Sequence, residues 1–338
     1  MLIELKKSLS RGLLGFVVGG LVIMGMSAPA VAQDAPYYEG KTINVIIRST
    51  PGGGYDFYGR LVARHIGKYI PGNPQVIPVN RPGAGGLVAT NYMYEQAPND
   101  GSEILIASRE LALSERLDYD GVRYKTSELI PIGNIARTTR VIYARPDTGL
   151  STLDDLVRYD GTFKWGTTGP GSGDFQLARI LTNAGLPIET VTGYAGSQGY
   201  TMGVIRGEVD GASGSYSSAK SVIEDEGLNI IAKLGDHPDL ADVQDVRDVL
   251  EADSRVLANI LATPLLAGRP FFTAPGTPDE PVQILREAFR EMVSDPELLA
   301  EAERAGRGIG YTAPEEMAEL YQEILNAPDS VISQLESD

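Results

Sequence analysis

The chain has 338 residues, enough for two domains of about 150 residues each, and 42% hydrophobic with 22% charged residues suits a soluble globular protein. It has no cysteine, which excludes disulfides, thiolate metal sites, cysteine nucleophiles and a lipid-anchored mature N-terminus. The formal net charge of −16 argues against nucleic acid and anionic membranes as partners, although a local cleft can still oppose this field.

The N-terminal segment has the pattern of a secretory signal peptide. A basic start is followed by an apolar run at 12–25 that is too short for a comfortable membrane span. Small residues at Ala30 and Ala32 then predict signal-peptidase cleavage before Gln33, with an uncleaved anchor as the alternative. We therefore expect residues 1–32 to be removed and the mature protein to reach a fluid compartment, most simply a bacterial periplasm.

Strands and helices alternate in the first part of the mature chain. The run 41–48 predicts a buried strand, and 55–70 carries apolar residues at helical spacing. A short strand at 75–80, a glycine-rich joint with a helix at 81–97 and a third strand at 102–108 follow. This β-α-β-α-β alternation predicts a parallel α/β sheet.

The same alternation starts again further along the chain and predicts a second α/β domain. Its predicted elements are a strand at 139–147, a capped helix at 151–160, a strand, glycine-rich joint and helix at 161–186, a short strand near 209–212 with a following helix, and a strand at 228–235. Three more helices are predicted after residue 274.

Two glycine-rich joints link a predicted strand to a predicted helix, Gly52–Gly54 and the run 167–174. The start of a helix exposes unpaired N–H groups and the positive end of the helix dipole, and glycines let an anion approach them closely. A tight structural turn is the alternative for each joint. The second joint lacks G-x-G-x-x-G spacing, which argues against a dinucleotide site. One joint per domain fits a cleft that closes on a small carboxylate.

Charged residues stand beside these joints. Asp56 and Asp174 follow the glycines, where Asp commonly caps a helix, and Asp56 could equally orient the loop or a ligand-bound water. Arg48 and Arg109 lie at or just after the ends of predicted strands, where open α/β sheets bind ligands. Either guanidinium could hold a carboxylate, or form a surface salt bridge with an acid such as Glu110.

Neither histidine has the neighbours that a metal site or a catalytic triad needs, so His65 and His237 are predicted to be structural. The acidic run 236–251 lacks the spacing of a calcium loop and predicts a solvated surface. We therefore expect no metal site, no catalytic residue and no cofactor.

Eight short motifs occur in the order typical of one receptor family. They are "PGGGYD", "NRPGAGGL", "APNDG", "GTTGPGSGD", "GYAGSQ", "GEVDG", "HPDLADV" and "APGTPDE". In these motifs the chain resembles the Bug family, the extracytoplasmic solute receptors of tripartite tricarboxylate transporters. The resemblance covers nearly all of the mature chain, and the first two motifs are its most specific part.

The resemblance implies an α/β, two-lobed periplasmic-binding-protein fold (type II, Venus flytrap), in which each lobe is a mixed, mostly parallel sheet flanked by helices. The implied lobes are 33–140 with 268–338, and 141–267, with hinges near 140–144 and 268–273. In the family, backbone amides and ordered waters from two loops hold a carboxylate between the lobes. The implied ligand-binding residues are Ser49, Thr50, Gly52, Gly53, Gly54, Tyr55, Asp56, Ser108, Arg109, Thr167, Thr168, Gly169, Gly171, Ser172, Tyr194, Ser197, Ser213 and Ser215.

Some of these positions depart from the family pattern. Tyr55 stands where a small residue is usual, and Ser108 is followed by Arg109 and Glu110 instead of small residues. Tyr194 lacks the lysine that often follows it. The departures bear on which ligand is bound and leave the fold expectation unchanged.

The sequence thus predicts a monomeric, non-enzymatic periplasmic receptor that delivers a small organic carboxylate to integral-membrane transporter subunits and does not bind nucleic acid. One alternative is a sensory receptor that binds the same ligand and docks on a signalling protein. The other is an enzyme that uses the glycine loops as an oxyanion or phosphate site, for which a recognisable nucleophile–base pair is missing.

Overall fold

Two five-stranded sheets organise the part of the chain that the computed structural model describes, residues 35–170, 172–330 and 332. The predicted signal peptide and Gly171 lie outside the described residues. The strands are β1 (Thr42–Ile47), β2 (Gln75–Asn80), β3 (Glu103–Ile106), β4 (Ile130–Asn134), β5 (Arg140–Ala144), β6 (Phe163–Gly166), β7 (Ile188–Val191), β8 (Gly211–Ser215), β9 (Asn229–Leu234) and β10 (Pro270–Thr273). The α-helices are α1 (Gly54–His65), α2 (Leu87–Glu95), α3 (Leu111–Arg116), α4 (Leu153–Val157), α5 (Gly173–Asn183), α6 (Ser197–Ile205), α7 (Tyr216–Asp225), α8 (Ala252–Ala267), α9 (Asp279–Met292), α10 (Pro296–Arg304) and α11 (Pro314–Leu325).

The two sheets share one topology. The first has the strand order β2-β1-β3-β10-β4, in which β10 runs antiparallel to both of its neighbours. The second has the order β7-β6-β8-β5-β9, in which β5 is the antiparallel strand. The remaining pairs, β1 with β2 and β3, and β6 with β7 and β8, are parallel. The predicted fold class, two α/β lobes with mixed, mostly parallel sheets, is confirmed.

Burial on both faces explains the apolar strands. In β1, Ile43, Val45 and Ile47 are fully buried, and every residue of β3 is buried. Parallel sheets covered by helices on both sides read as continuous apolar runs. Helix α1 packs Leu61 and Val62 into the same apolar cluster, which explains its helical spacing.

Packing in the second lobe centres on the lone tryptophan. Trp165 is fully buried in β6 and lies edge-to-face against Phe163, with ring centroids 6.1 Å apart. Leu177 and Leu181 of α5 belong to the same buried cluster. The helix after the glycine-rich joint is therefore held tightly against its strand, which fixes where the joint points.

Several elements escaped prediction. Strands β4, β7 and β10 have only four or five residues, too few for a clear period-two pattern. Helix α8 was missed because Pro264 interrupts its sequence, and α3 because it has only six residues. In the acidic run, two short 3₁₀ turns at Pro238–Leu240 and Val246–Asp248 bury Leu240 and Val246.

The chain crosses between the sheets twice, at 135–139 and at Gly268–Arg269, and the two crossings are hydrogen-bonded to each other. The N–H of Arg269 lies 2.6 Å from Oδ1 of the buried Asn134, and the N–H of Ile135 lies 3.3 Å from the carbonyl oxygen of Arg269. The predicted hinge segments largely coincide with β5 and β10, and their hinge role stays a prediction. Within the described chain, we find no helix of the length and apolarity that a membrane span requires.

Candidate ligand-binding site

A cavity of about 720 Å³ lies where the two sheets face each other. Its walls come from the loops that follow six parallel strands, β1, β2 and β3 in the first sheet and β6, β7 and β8 in the second. Carboxyl ends of parallel strands are the usual binding edge of open α/β sheets. The position and size of the cavity suit a small ligand held between the lobes.

The first glycine loop forms part of this wall and is held in place by Asp56. The N–H of Gly52, at φ +103°, donates to Oδ2 of Asp56 at 2.9 Å. Arg60 and Asn80 donate to the other carboxylate oxygen at 2.9 and 2.8 Å. Helix α1 begins at Gly54 with Gly53 as its N-cap residue, so Asp56 orients the loop from the first helical turn.

The second glycine loop is held in the same way by Asp174. The N–H of Thr168 donates to Oδ2 of Asp174 at 2.7 Å, and the Thr168 hydroxyl lies 3.0 Å from the same oxygen. Helix α5 begins at Gly173 after the N-cap residue Ser172, so the predicted N-cap role of Asp174 is wrong. Asp174 lies in the first turn of α5, where its carboxylate closes the loop instead of capping the helix.

Side chains of the second lobe lie directly against the first glycine loop. A Cβ added to Gly53 would come within 2.7 Å of Ser197 Oγ, and one on Gly52 or Gly54 would overlap Gln198 or Ser218. The glycines therefore allow the lobes to approach each other closely, in addition to any role toward a ligand. The two lobes are in contact around the cavity.

The motif at Pro82–Gly86 forms a further wall of the cavity. The sequence did not predict these residues as part of the site. Gly85 accepts a hydrogen bond through its carbonyl oxygen from Nη2 of Arg48. Gly169 of the second loop faces this motif, since a Cβ there would lie 3.6 Å from the N atom of Gly85. Its glycines, read only as a family signature in the sequence, make room for contact between the lobes.

Five arginines line the cavity: Arg48, Arg109, Arg140, Arg269 and Arg307. The first four are buried and Arg307 is half-buried. Only the first two were candidates from the sequence. Arg140 begins β5, Arg269 precedes β10 and Arg307 follows α10. No local pattern distinguishes these three from surface arginines.

Glu110 is the carboxylate partner of two of these arginines. Its Oε1 lies 2.9 Å from Nε of Arg109 and 2.7 Å from Nη2 of Arg140. Burial alone raises the pKa of Glu110, but Arg109, Arg140 and Arg48 outweigh burial and lower the pKa to about 2. The pairing of Arg109 with Glu110 is thus real, but it lies inside the cavity wall and not on the surface.

The ring of Tyr55 is surrounded by guanidinium groups. The guanidinium carbons of Arg269, Arg48 and Arg109 lie 4.4, 4.5 and 5.9 Å from the ring centroid. Burial raises the pKa of the Tyr55 phenol, yet attraction to the arginines, Arg109 first, prevails and the pKa is lowered. The ring of Tyr55 therefore packs against three guanidinium groups beside the first glycine loop.

The structure brings many of the predicted site residues to the cavity and leaves others behind its wall. Those that line the cavity are Ser49, Gly52, Gly53, Gly54, Tyr55, Arg109, Thr168, Gly169, Tyr194, Ser197 and Ser215. Those outside the lining set are Thr50, Asp56, Ser108, Thr167, Ser172 and Ser213. Several support the wall: the hydroxyl of Ser108 donates to Glu110 at 3.0 Å, and Ser213 Oγ accepts from Arg140 at 3.3 Å.

Outside the cavity, His65, Asp295 and Glu297 lie close enough to share a cation. Lys68 already occupies this cluster, with Nζ 2.6 Å from Asp295 and 2.9 Å from Glu297, and His65 lies 2.8 Å from Glu301. The ammonium group supplies the positive charge that a metal ion would bring. We therefore interpret the cluster as an ion-pair network that joins α1 to α10.

Comparison with known proteins identifies the family. The model of the tripartite tricarboxylate transporter family receptor matches residues 59–336. The chain belongs to this family. A UPF0065 protein from the tcbD–tcbE intergenic region of Pseudomonas sp. is 24% identical over 314 residues, covering 90% of each chain. The protein BugT of Bordetella pertussis is 31% identical over 135 residues, 39% of this chain and 40% of its own.

Several solved structures share the fold. The periplasmic binding protein BugD has a TM-score of 0.72 and 19% identity, over 85% of this chain and 95% of its own. MatC from Rhodopseudomonas palustris, solved with bound malate, has a TM-score of 0.69 and 18% identity, over 86% and 99%. A protein from R. palustris solved with adipate has a TM-score of 0.70 and 20% identity, over 87% and 97%. At these identities the similarity establishes the fold.

Proposed function

We propose that this receptor captures a small organic carboxylate in the cavity between its lobes and delivers it to the membrane subunits of a tripartite tricarboxylate transporter. The observation that carries the proposal is a cavity lined by buried arginines in a protein of net charge −16. An anionic ligand would compensate the charge of these arginines, because buried positive charge without a counter-ion is costly. Family membership supports the delivery step.

The two glycine loops are suited to hold one carboxylate of the ligand. Each loop precedes the N-terminus of a helix, α1 or α5, where N–H groups and the helix dipole favour negative charge. Asp56 and Asp174 each fix one loop N–H, which orients the loop before the ligand arrives. The malate and adipate bound by structural relatives support an organic acid as the ligand class.

Binding without chemical conversion is the role that the lining residues favour. Among the described residues that line the cavity there is neither a histidine nor a lysine to activate a serine. The protein is proposed to be periplasmic and to work as a monomer after removal of residues 1–32. N-terminal sequencing of exported protein and light scattering test these two points, and a retained Met1 in membranes would overturn the first.

Thermal-shift screening tests the ligand class directly. Mature protein beginning at Gln33 is heated with a panel of organic acids that includes malate and adipate, alongside amino acids and neutral sugars. A ligand at a hundred times its Kd stabilises the folded state by about 2.7 kcal/mol and raises Tm. Stabilisation by acids alone is expected, whereas stabilisation by sugars alone, or by none of the compounds, would overturn the proposal.

Transport is tested separately from binding. Uptake of the labelled acid is measured in cells that carry or lack the gene. Loss of uptake on deletion, restored by the wild-type gene, is expected for a receptor that delivers its ligand. Unchanged uptake with a tightly binding purified protein would contradict delivery and favour the sensory alternative.

A further inference from the structure

A continuous chain of guanidinium groups and serine hydroxyls crosses the cleft. Nη2 of Arg109 and Nη2 of Arg269 lie 3.2 and 2.8 Å from the same atom, Ser215 Oγ. Nη2 of Arg269 and Nη1 of Arg307 lie 3.3 and 2.7 Å from Ser218 Oγ. We call these five residues the arginine–serine chain. Arg109 and Arg307 belong to the first lobe, Arg269 lies at a crossing, and both serines belong to the second lobe, so this arginine–serine chain forms where the lobes meet.

Each serine oxygen of the chain accepts hydrogen bonds from two cations, which leaves its own O–H as a donor. Ser215 is the N-cap residue of α7, a position where serine normally accepts a helix N–H, yet its side chain makes no capping bond. Ser218 lies in the first turn of the same helix, at the positive end of the dipole. The two serine hydroxyls and the N-terminus of α7 therefore all favour a negative charge beside this helix end.

Buried donors of the chain have no partner in the described part of the protein. Nη1 of Arg109 and both Nε and Nη1 of Arg269 are buried without a hydrogen bond. Arg109 is only 4% exposed and Arg269 only 2%. Buried polar atoms are normally hydrogen-bonded, so unpartnered donors on a cavity wall indicate where a ligand acceptor binds.

Positive charge exceeds negative charge along this wall. Arg109, Arg269 and Arg307, with Arg140 beside them, contribute four positive charges against the single carboxylate of Glu110, an excess of three. The other carboxylate of the lining, Asp174, is bonded to Thr168 in the second glycine loop. Burial, followed by repulsion from Arg109, lowers the pKa of Arg269 to about 10, consistent with an uncompensated cluster.

We infer that the arginine–serine chain is a second anion subsite, and that it binds the doubly charged end of a ligand whose other carboxylate is held by the glycine loops. The inference rests on the proposed function. Two chemical groups meet the requirement, a pair of carboxylates on neighbouring carbons and a single phosphonate. Both present several anionic oxygens to guanidinium forks, whereas one carboxylate leaves most of the excess charge uncompensated.

Two matched ligand pairs test this subsite by calorimetry on the mature protein. Phosphonopropionate is compared with succinate, which has the same spacer and a singly charged end, at mildly alkaline pH. Tricarballylate is compared with glutarate, which lacks its central carboxylate. The doubly charged member of at least one pair is expected to bind tenfold or more tightly, by the general size of charge-assisted bonds. The pair with the larger ratio identifies the group.

Two variants and one control test whether the arginine–serine chain is the source of the preference for the doubly charged ligand. Arg307→Gln removes a half-buried cation and Ser218→Ala removes a shared acceptor, and both are milder than changes at the buried Arg269. Each is expected to reduce the tenfold preference to about twofold, because the doubly charged ligand loses more affinity than the singly charged one. Arg290→Gln, an exposed arginine of α9 paired with Glu287, is the matched control and should behave as wild type.

Sulfate provides a readout that does not depend on the correct organic acid. At constant ionic strength sulfate should raise Tm more than acetate does, and Arg307→Gln should abolish the difference. Equal affinities within both pairs, or a sulfate effect that persists in both variants, or no binding of sulfate or of any probe, would overturn the subsite. A sulfate effect that requires Arg307, without binding of any organic acid, would retain the subsite and overturn the carboxylate function.

Discussion

Glu110 and Arg140 form a buried ion pair that joins the two lobes. Nη2 of Arg140, the first residue of β5, lies 2.7 Å from Oε1 of Glu110, which follows β3, and each side chain is 2% exposed. Gly173 adjoins the pair so closely that a Cβ there would overlap both partners. Arg140 begins β5 of the second sheet, although the implied boundary had placed it last in the first lobe, and Glu110 follows a strand of the first sheet. The pair therefore stabilises the conformation in which the two sheets are held together.

Removing this carboxylate should destabilise the protein more than removing an exposed one. Glu110→Gln leaves Arg109 and Arg140 buried without a counter-ion, and breaking a buried pair costs about 3–5 kcal/mol. Urea unfolding should show this loss, and a bound anion should recover part of it. Glu208→Gln, whose partner Arg206 is exposed, is the control and should change stability little. Equal effects of the two substitutions would contradict a structural role for Glu110.

The pH dependence of stability should carry the signature of Glu110. Its pKa is lowered from 4.5 to about 2 in the folded protein, so the unfolded chain takes up the proton first as pH falls. The contribution of the pair is therefore complete above pH 4.5 and is lost as the pH falls toward about 2. The difference in unfolding free energy between wild type and Glu110→Gln should shrink across this window. A difference that stays constant there would contradict the assignment.

Gly53 offers a test of lobe contact without backbone strain. Its φ of −85° suits any residue, whereas an added Cβ would lie 2.7 Å from Ser197 Oγ in the second lobe. Gly53→Ala should weaken binding of the selected acid by about tenfold, since closure is hindered, with unfolding nearly unchanged. Ser197→Ala in the same chain should restore part of the affinity, which a double-mutant cycle measures. Additive effects of the two substitutions would remove this contact from the closure mechanism.

Gly268 should stabilise the folded protein at the crossing between the lobes. It has φ +36°, and a Cβ there would overlap the carbonyl oxygen of Ala136 in the other crossing. Gly268→Ala is expected to cost more than about 1 kcal/mol of unfolding free energy, from strain and overlap together. Gly185→Ala is the matched control, because Gly185 has φ +90° with nothing within 4 Å of its added Cβ. If Gly268→Ala costs no more unfolding free energy than Gly185→Ala, backbone strain explains the whole loss and the overlap with Ala136 contributes nothing.

Ligand binding should also change the separation of the lobes. The two crossings, 135–139 and Gly268–Arg269, are the segments that can absorb a rotation while each sheet stays rigid. Small-angle scattering is expected to show a smaller radius of gyration with a saturating, calorimetrically verified acid. The same radius with and without ligand would contradict a closing cleft and favour a rigid pocket.

Local sequence determined the fold class and the location of the loops. The apolar run of β1, the helical spacing of α1 and the glycines between them depend only on residues close together in the chain. The repetition of this pattern around Thr168 and Gly169 predicted a second lobe with an equivalent loop. Such signals survive in sequence because backbone conformation and burial on one face depend on short-range spacing.

Tertiary structure alone decided the charge of the site. Arg109 and Arg269 are 160 positions apart in numbering, yet they share Ser215 Oγ because β10 inserts beside β3. Glu110, which the sequence offered as a partner in a surface salt bridge, is instead buried between the lobes. A charged residue has the same local appearance in sequence whether it is solvated or buried. Its energetic role depends on which distant groups surround it, and strand order supplies that information.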